Sequence, residues 1–319
     1  MSHEPPLAGI RVLEVGNYMA APFCGMQLAD LGAEVIKIEH PDGGDPVRAS
    51  GPFVEGEGTH FIRLNRNKRS LAIDLKSVEG KRVFRKLVSG ADVVVENLRP
   101  GTMKDLDLDY GRMREVNPGL IYVSLSGWGQ DGPLSQLAGL DIMAQARGGL
   151  MSITGFPDGD PVKVGVPISD LTCGLYGALS VTAALQARHR TGQGQYIDVC
   201  LFESAVSLAI YEAGNYFATG AIPKPQGSAH QNGAPYQAIR GSDGWFTIGV
   251  PSPALWKAFC RALDLEWMEQ DPRFAERNTR FLNRPALIAE IEAVTSAQPT
   301  DHWLEVLQEA GVPCAPIQH

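Results

Sequence analysis

The chain has 319 residues, enough for two domains or one large α/β unit, and its 44% apolar and 20% charged composition is that of a globular protein. With 36 acidic residues against 28 basic ones the formal charge is −8, which argues against a general nucleic-acid binder and leaves room only for a local basic pocket. Cys24, Cys173, Cys200, Cys260 and Cys314 have no CxxC spacing, so free thiols are expected, without a disulfide framework, zinc ribbon or metal-ligand set.

In chain order, residues 10–15 (IRVLEV) read as a strand, 20–31 as a helix closed by Gly32, and 33–39 (AEVIKIE) as a second strand. Strand, helix and strand in this span make a βαβ unit with a right-handed crossover. Its turn, from Gly16 to Pro22, lacks G-x-G-x-x-G, so a dinucleotide site with Glu39 as the ribose acid rests on topology alone. Further strands are expected at 70–75, 92–98, 120–125 and 195–201, with helices at 78–87, from Asp141 to Gly148, and at 203–217. Their near-continuous, β-branched apolar character predicts a parallel sheet covered on both faces. Ligands in such sheets bind outside the carboxyl ends of the strands, here the turns after Val15, Glu39, Leu98 and Leu125. Positive charge at residues 65–69 and 97–101 is suited to holding phosphates there.

Residues 220–235, rich in Gly, Pro, Ser, Asn and Gln, read as a linker or mobile loop. Strands at 236–240 and 245–250 then flank a Gly241-Ser242-Asp243-Gly244 hairpin, and helices follow at 255–263, 285–295 and 300–310. The organisation expected is a large α/β domain over 1–219, the linker, and a small α+β domain over 236–319. Residues 1–6 lack the core of a signal peptide, and no apolar run reads as long enough to span a bilayer, so a cytoplasmic protein without membrane contact is expected.

The stretch from Gly165 to Gly177 concentrates the chemistry. Gly165 and Pro167 break regularity, and Leu171, Leu175, Leu179, Thr182 and Leu185 then recur at helical spacing up to Thr191-Gly192. Ser169 or Asp170 is the expected N-cap or first-turn residue. A capping carboxylate is the plain structural reading of Asp170; the functional one is a nucleophile kept anionic by the helix N-terminus.

Several segments, in order, resemble the family III CoA-transferases, the group that includes formyl-CoA transferase, carnitine CoA-transferase and α-methylacyl-CoA racemase. They are PLAGIRVLEVG, LADLGAEVIKIEHPDGGDPVR, LNRNKRSLAIDL, DVVVENLRPG, GWGQDGP, GLDIMAQARGGLM and VGVPISDLTCGLYGAL. The run GSAHQNGAPYQAIRGSDGW is most similar to the branch containing succinate–hydroxymethylglutarate CoA-transferase. The resemblance implies a Rossmann-like large domain, a smaller α+β domain and an interlocked homodimer. It also implies coenzyme A and acyl-CoA as substrates, with no permanently bound cofactor, and Asp170 as the residue that becomes acylated and then carries CoA as a thioester. Around it, the resemblance implies a CoA cleft at Tyr18, Met19, His40, Lys68, Arg69, Asn97, Leu98, Lys104 and Leu201. His40 and Lys104 stand where the family tends to place arginine. Asp141 is a supporting residue or a helix cap, and the stretch from Gly227 to Gly233 is the candidate flap that keeps water from the anhydrides. Arg48, Arg63 or Arg66 are candidates for a second carboxylate if the acid is a dicarboxylate such as succinate.

Two alternatives remain open from the sequence. Racemases of this family carry a His before Asp141 to move the α-proton; Leu140 fills that place and cannot relay one. A non-catalytic CoA-binding protein is the other, since family members continue some eighty residues past the point where this sequence stops at His319, and a truncated or shorter variant is expected.

Overall fold

The computed structural model describes residues 4–318. The chain divides into two compact units, Met1–Ser152 with Val162–Ile210, and Ile153–Pro161 with Tyr211–His319. The division falls ahead of the expected linker, and a short excursion from Ile153 to Pro161 joins the second unit.

The first unit is built on six parallel strands: β1 (Arg11–Val15), β2 (Glu34–Glu39), β3 (Lys68–Ala72), β4 (Val93–Glu96), β5 (Ile121–Ser126) and β6 (Tyr196–Cys200). Their spatial order is β3-β2-β1-β4-β5-β6, the doubly wound order in which the winding reverses between β1 and β4. Alternation along each strand divides the core between two faces. Val12, Val93, Val95, Ile121 and Val123 enter one cluster, whereas Leu13, Val15, Val94 and Tyr122 enter the other. Helix α1 (Ala20–Asp30) and α2 (Val78–Val88) follow β1 and β3; α3 (Asp141–Arg147), α4 (Ile168–Thr191) and α5 (Leu201–Leu208) come later in the chain, and α6 (Ile210–Thr219), all but its first residue, belongs to the second unit. The expected single helix over 203–217 is thus two, broken at Ala209.

Helix α4 is the central one. It packs along α1 so closely that a Cβ on Gly174 would lie 2.9 Å from the Ala20 carbonyl oxygen and 3.2 Å from the Cys24 nitrogen. Gly177 meets Leu125 and Cys24 in the same way. This corrects one expectation: α4, with 24 residues and a mean hydropathy of 1.3 over its most apolar window, is long and apolar enough to cross a membrane. Half of that window is buried within the protein, because a helix that packs against both α1 and the sheet must be apolar on more than one side.

The second unit carries an antiparallel sheet of β7 (Tyr236–Arg240), β8 (Trp245–Gly249) and β9 (Cys314–Pro316), with β8 central. Helices α7 (Pro253–Ala262), α8 (Arg284–Thr295) and α9 (Thr300–Glu309) contribute Phe259, Leu287, Ile291 and Leu307 to its core. Arg280 is buried there, its guanidinium donating to the carbonyls of Ala234, Phe274 and Ala275 and lying 4.5 Å from the centre of the Trp256 ring.

Candidate active site

A crevice of about 890 Å³ opens in the first unit at the carboxyl ends of β1, β4 and β5. This is where the winding reverses, so the loops after β1 and β4 diverge and leave a gap. Tyr18 and Met19 line it from the first turn, Asn97 and Leu98 from the turn after β4, and Leu201 from the start of α5. Asp141 and Asp170 lie in the same crevice.

Asp170 sits in the first turn of α4, whose N-cap is Pro167 rather than Ser169 or Asp170. Proline offers no side-chain acceptor, and the capping is done from another helix. Asp141 Oδ1 accepts the Ser169 N–H at 2.8 Å and the Asp170 N–H at 3.3 Å, while its Oδ2 accepts from Gln145 Nε2 at 2.6 Å. Gln145 is held in turn by the Val164 N–H, which donates to its Oε1 at 2.9 Å. Asp141 is therefore a cap, but of α4 and not of its own helix α3, whose N-cap is Leu140. The Asp170 carboxylate is left free: among the described residues nothing donates a hydrogen bond to it. Burial, and then the like charge of Asp141, push its carboxyl up to about 7. The expectation that the helix terminus keeps Asp170 firmly anionic is corrected accordingly, because the helix N–H groups are spent on Asp141.

The basic motif behaves differently from its expected role. β3 begins at Lys68, two residues earlier than its apolar pattern suggests, so Lys68 and Arg69 belong to an edge strand and not to a crevice turn. The Lys68 side chain is 1% exposed; its ammonium donates to the Pro22 carbonyl (2.7 Å) and Asn65 Oδ1 (2.9 Å) and is ion-paired with Glu14 Oε2 at 2.8 Å. Burial lowers its pKa to about 8 despite the Glu14 charge. Arg69 pairs with Glu34 at the first residue of β2, the opposite end of the sheet from the crevice. His40 is exposed, and its Nδ1 accepts the Asp42 N–H at 3.1 Å. Lys104 and Arg99 line a neighbouring cavity of about 380 Å³ with Tyr110 and Tyr196, and only Arg99 also reaches the crevice. Thus the turn after β2 does not reach the crevice, and His40, Lys68, Arg69 and Lys104 are set apart from it.

Other expectations are resolved by partners. Glu39 cannot serve a ribose: Arg48 grips its two oxygens at 2.9 and 2.8 Å, and the Asp45 N–H and the Ser70 hydroxyl also donate to it. Burial alone would raise this carboxyl, but those donors outweigh it and hold it at about 2. Arg66 is paired with Asp30. Gly227 and Gly233 fall in the second unit. The Gly227 N–H donates to the Gly155 carbonyl at 2.8 Å, and the Gly233 carbonyl accepts from Arg284 at 3.2 Å.

Sequence reasoning missed Lys163, which lines the crevice and whose ammonium donates to the Val164 carbonyl at 3.1 Å. Its position just before Gly165 was the available signal. Lys163 and Arg99 are the cations on the crevice wall, and neither meets a carboxylate among the described residues. Leu140, 64% exposed, presents an aliphatic side chain where a racemase base would stand.

A doubly wound sheet, with an unpaired, half-buried carboxylate at its switch point, defines an α/β protein that takes a ligand in the crevice beside that carboxylate. Comparison makes that specific. CoA-transferase family III matches residues 7–319, and the chain belongs to that family. It is 40% identical to the succinyl-CoA:glutarate CoA-transferase of Mus musculus, over 98% of this chain and 72% of that one. It is 39% identical to the acetyl-CoA:oxalate CoA-transferase of Acetobacter aceti, over 98% and 80%. Among solved structures, a CaiB/BaiF family protein from Brucella suis superposes with a TM-score of 0.88 at 41% identity, covering 99% of this chain and 85% of that one.

Proposed function

We propose that this CoA-transferase moves CoA from a dicarboxylic acyl-CoA to a free dicarboxylic acid, with Asp170 as the covalent relay. The observation that carries the reading is the Asp170 carboxylate, unpaired in an 890 Å³ crevice at the switch point of the sheet. An Asp170 oxygen attacks the donor thioester carbon; the C–S bond breaks and CoA leaves as the thiolate. The thiolate then attacks the aspartyl carbon of this mixed anhydride, releasing the donor acid and leaving an aspartyl-CoA thioester. The acceptor carboxylate repeats the first step on that thioester, and the expelled thiolate opens the second anhydride at the acceptor carbon. Acceptor acyl-CoA departs and Asp170 is a carboxylate again, with no net proton change.

Burial serves this chemistry in two ways. A carboxyl raised to about 7 is a more basic, more nucleophilic carboxylate once ionised, and a sheltered crevice keeps water from the anhydrides. Lys163 and Arg99 supply cations for the second carboxylate of a dicarboxylate, and similarity to a succinyl-CoA:glutarate enzyme favours that substrate class. A panel of free acids tests it, with dicarboxylates expected to exceed monocarboxylates of equal length in kcat/KM. Lys163→Met should erase part of that preference, by about tenfold for a lost ion pair in a sheltered site. No preference in the wild type would remove the dicarboxylate assignment.

The homodimer belongs to the same reading. Helix α6 buries none of its residues, and Ile210, Tyr211 and Phe217 stand 73%, 58% and 82% exposed, an apolar helix suited to a second copy of the chain.

A further inference from the structure

The turn between β1 and α1 is held by side chains at three successive residues. The Gly16 carbonyl accepts from Lys37 Nζ at 2.7 Å. At Asn17, the N–H donates to Asn97 Oδ1 at 3.0 Å and the carbonyl accepts from Asn97 Nδ2 at 2.9 Å. The Tyr18 N–H donates to Asp45 Oδ1 at 3.3 Å. Two of these three pins are joined by buried charge. Lys37 also pairs with Glu14 at 2.8 Å and Asp45 at 2.9 Å, and Glu14 pairs with Lys68; all four side chains are at most 1% exposed.

Two features of this arrangement are costly. Tyr18 is held at φ 63°, a left-handed conformation that costs a bulky residue about 1 kcal/mol or more. Four buried charges contribute little net stability, because desolvation consumes most of what their attraction returns. The space is also reserved for them: a Cβ on Gly25 would lie 2.0 Å from Glu14 Oε2, and one on Gly16 would lie 2.5 Å from the Ala21 Cβ and 2.8 Å from Asn97 Oδ1. What the costs secure is the place of Asn17, Tyr18, Met19 and Ala20, all of which line the crevice that Asp170 shares.

We infer that Asp45, Lys37 and Asn97 are positioning residues for the transfer reaction: they clamp the 16–18 turn in its left-handed form, fixing the wall against which the acyl-CoA must lie for attack. The inference rests on the reading of the crevice as the acyl-CoA site. Lys37 and Asp45 come from β2 and the loop behind it, and in this scheme they touch no substrate.

A double-mutant cycle tests it, read as the rate of aspartyl-CoA formation in a single turnover and as steady-state kcat and KM for acyl-CoA. Circular dichroism and thermal melts establish that each variant is folded. Asp45→Ala should slow adduct formation by about tenfold or more, since small misplacements of a reacting group are costly in rate. In the Tyr18→Gly background, where residue 18 enters the left-handed region freely, the same change should cost no more than about threefold. If Asp45→Ala does not fold, Asn97→Ala takes its place in the cycle with the same expectation, as it removes a pin without stranding a buried charge. Equal losses in the two backgrounds, or no loss in a folded variant, would overturn the clamp. If the wild type forms no adduct at all, the nucleophile reading fails separately, and the cycle is then read on the CoA exchange rate.

Discussion

At the scale of single residues, Asp170 and Asp141 divide one task. Asp141 takes up the free N–H groups at the start of α4, which leaves Asp170 without donors and raises its pKa to about 7 by burial and like charge. Attack requires the ionised form, so the rate of adduct formation should rise with pH through about 7 and level off above it. Asp141→Asn keeps an oxygen for the cap but removes the charge, and the rising limb should move to lower pH; an unmoved limb in a folded variant contradicts the assignment. Stability follows the opposite sense. Because the folded pKa lies above the ordinary value of 3.8, Asp170 favours folding fully below that pH and loses its contribution as pH rises to about 7. Asp170→Asn should therefore be more stable than wild type at pH 8, by about 2 kcal/mol after allowing for partial exposure, and no more stable near pH 3. Denaturant melts at the two pH values measure this.

At the scale of elements, the packing of α1 on α4 ties the crevice wall to the nucleophile. Gly174→Ala would drive a methyl into the Ala20 carbonyl and Cys24, and overpacking of this kind costs about 1–3 kcal/mol. Because Ala20 lines the crevice, transfer should slow as well, a loss that kinetics below the melting transition would reveal. Elements defined by local pattern were legible in the sequence: the apolar strands, the α4 helix behind Gly165 and Pro167, and Asp170 at its mouth. What local pattern could not supply was partnership across the chain. The Asp141 cap spans 28 and 29 residues, and nothing near Asp141 announces it. Lys68 and Arg69 read as a phosphate-binding turn because Ser70 to Leu75 is the apolar part of their segment, whereas pairing with Val35 and Ile36 draws both residues into the strand. The Lys68 ammonium then answers a buried glutamate far away in the chain. Lys68→Met should accordingly destabilise the fold by about 3–5 kcal/mol in a denaturant titration, by leaving one uncompensated negative charge in the buried Glu14–Lys37–Asp45 cluster, and Arg69→Ala should leave the KM for acyl-CoA nearly unchanged.

At the scale of the whole molecule, the order of strands places the chemistry. The gap at the β1–β4 reversal receives turns from β1, β4 and β5, and the start of α4 delivers Asp170 into it. The exposed α6 helix gives the proposed dimer a measurable form: sedimentation equilibrium should return twice the chain mass, and Phe217→Glu should shift it toward the monomer. The covalent relay itself is tested most directly by following oxygen. When the acceptor carboxylate attacks the aspartyl-CoA thioester, one of its oxygens becomes the bridge of the anhydride, and CoA attack at the acceptor carbon leaves that oxygen on Asp170. With acceptor acid labelled by heavy oxygen, peptide mass spectrometry after turnover should find the label in the Asp170 carboxylate and in no other residue. Efficient exchange of CoA with no label on the Asp170 peptide would contradict the account.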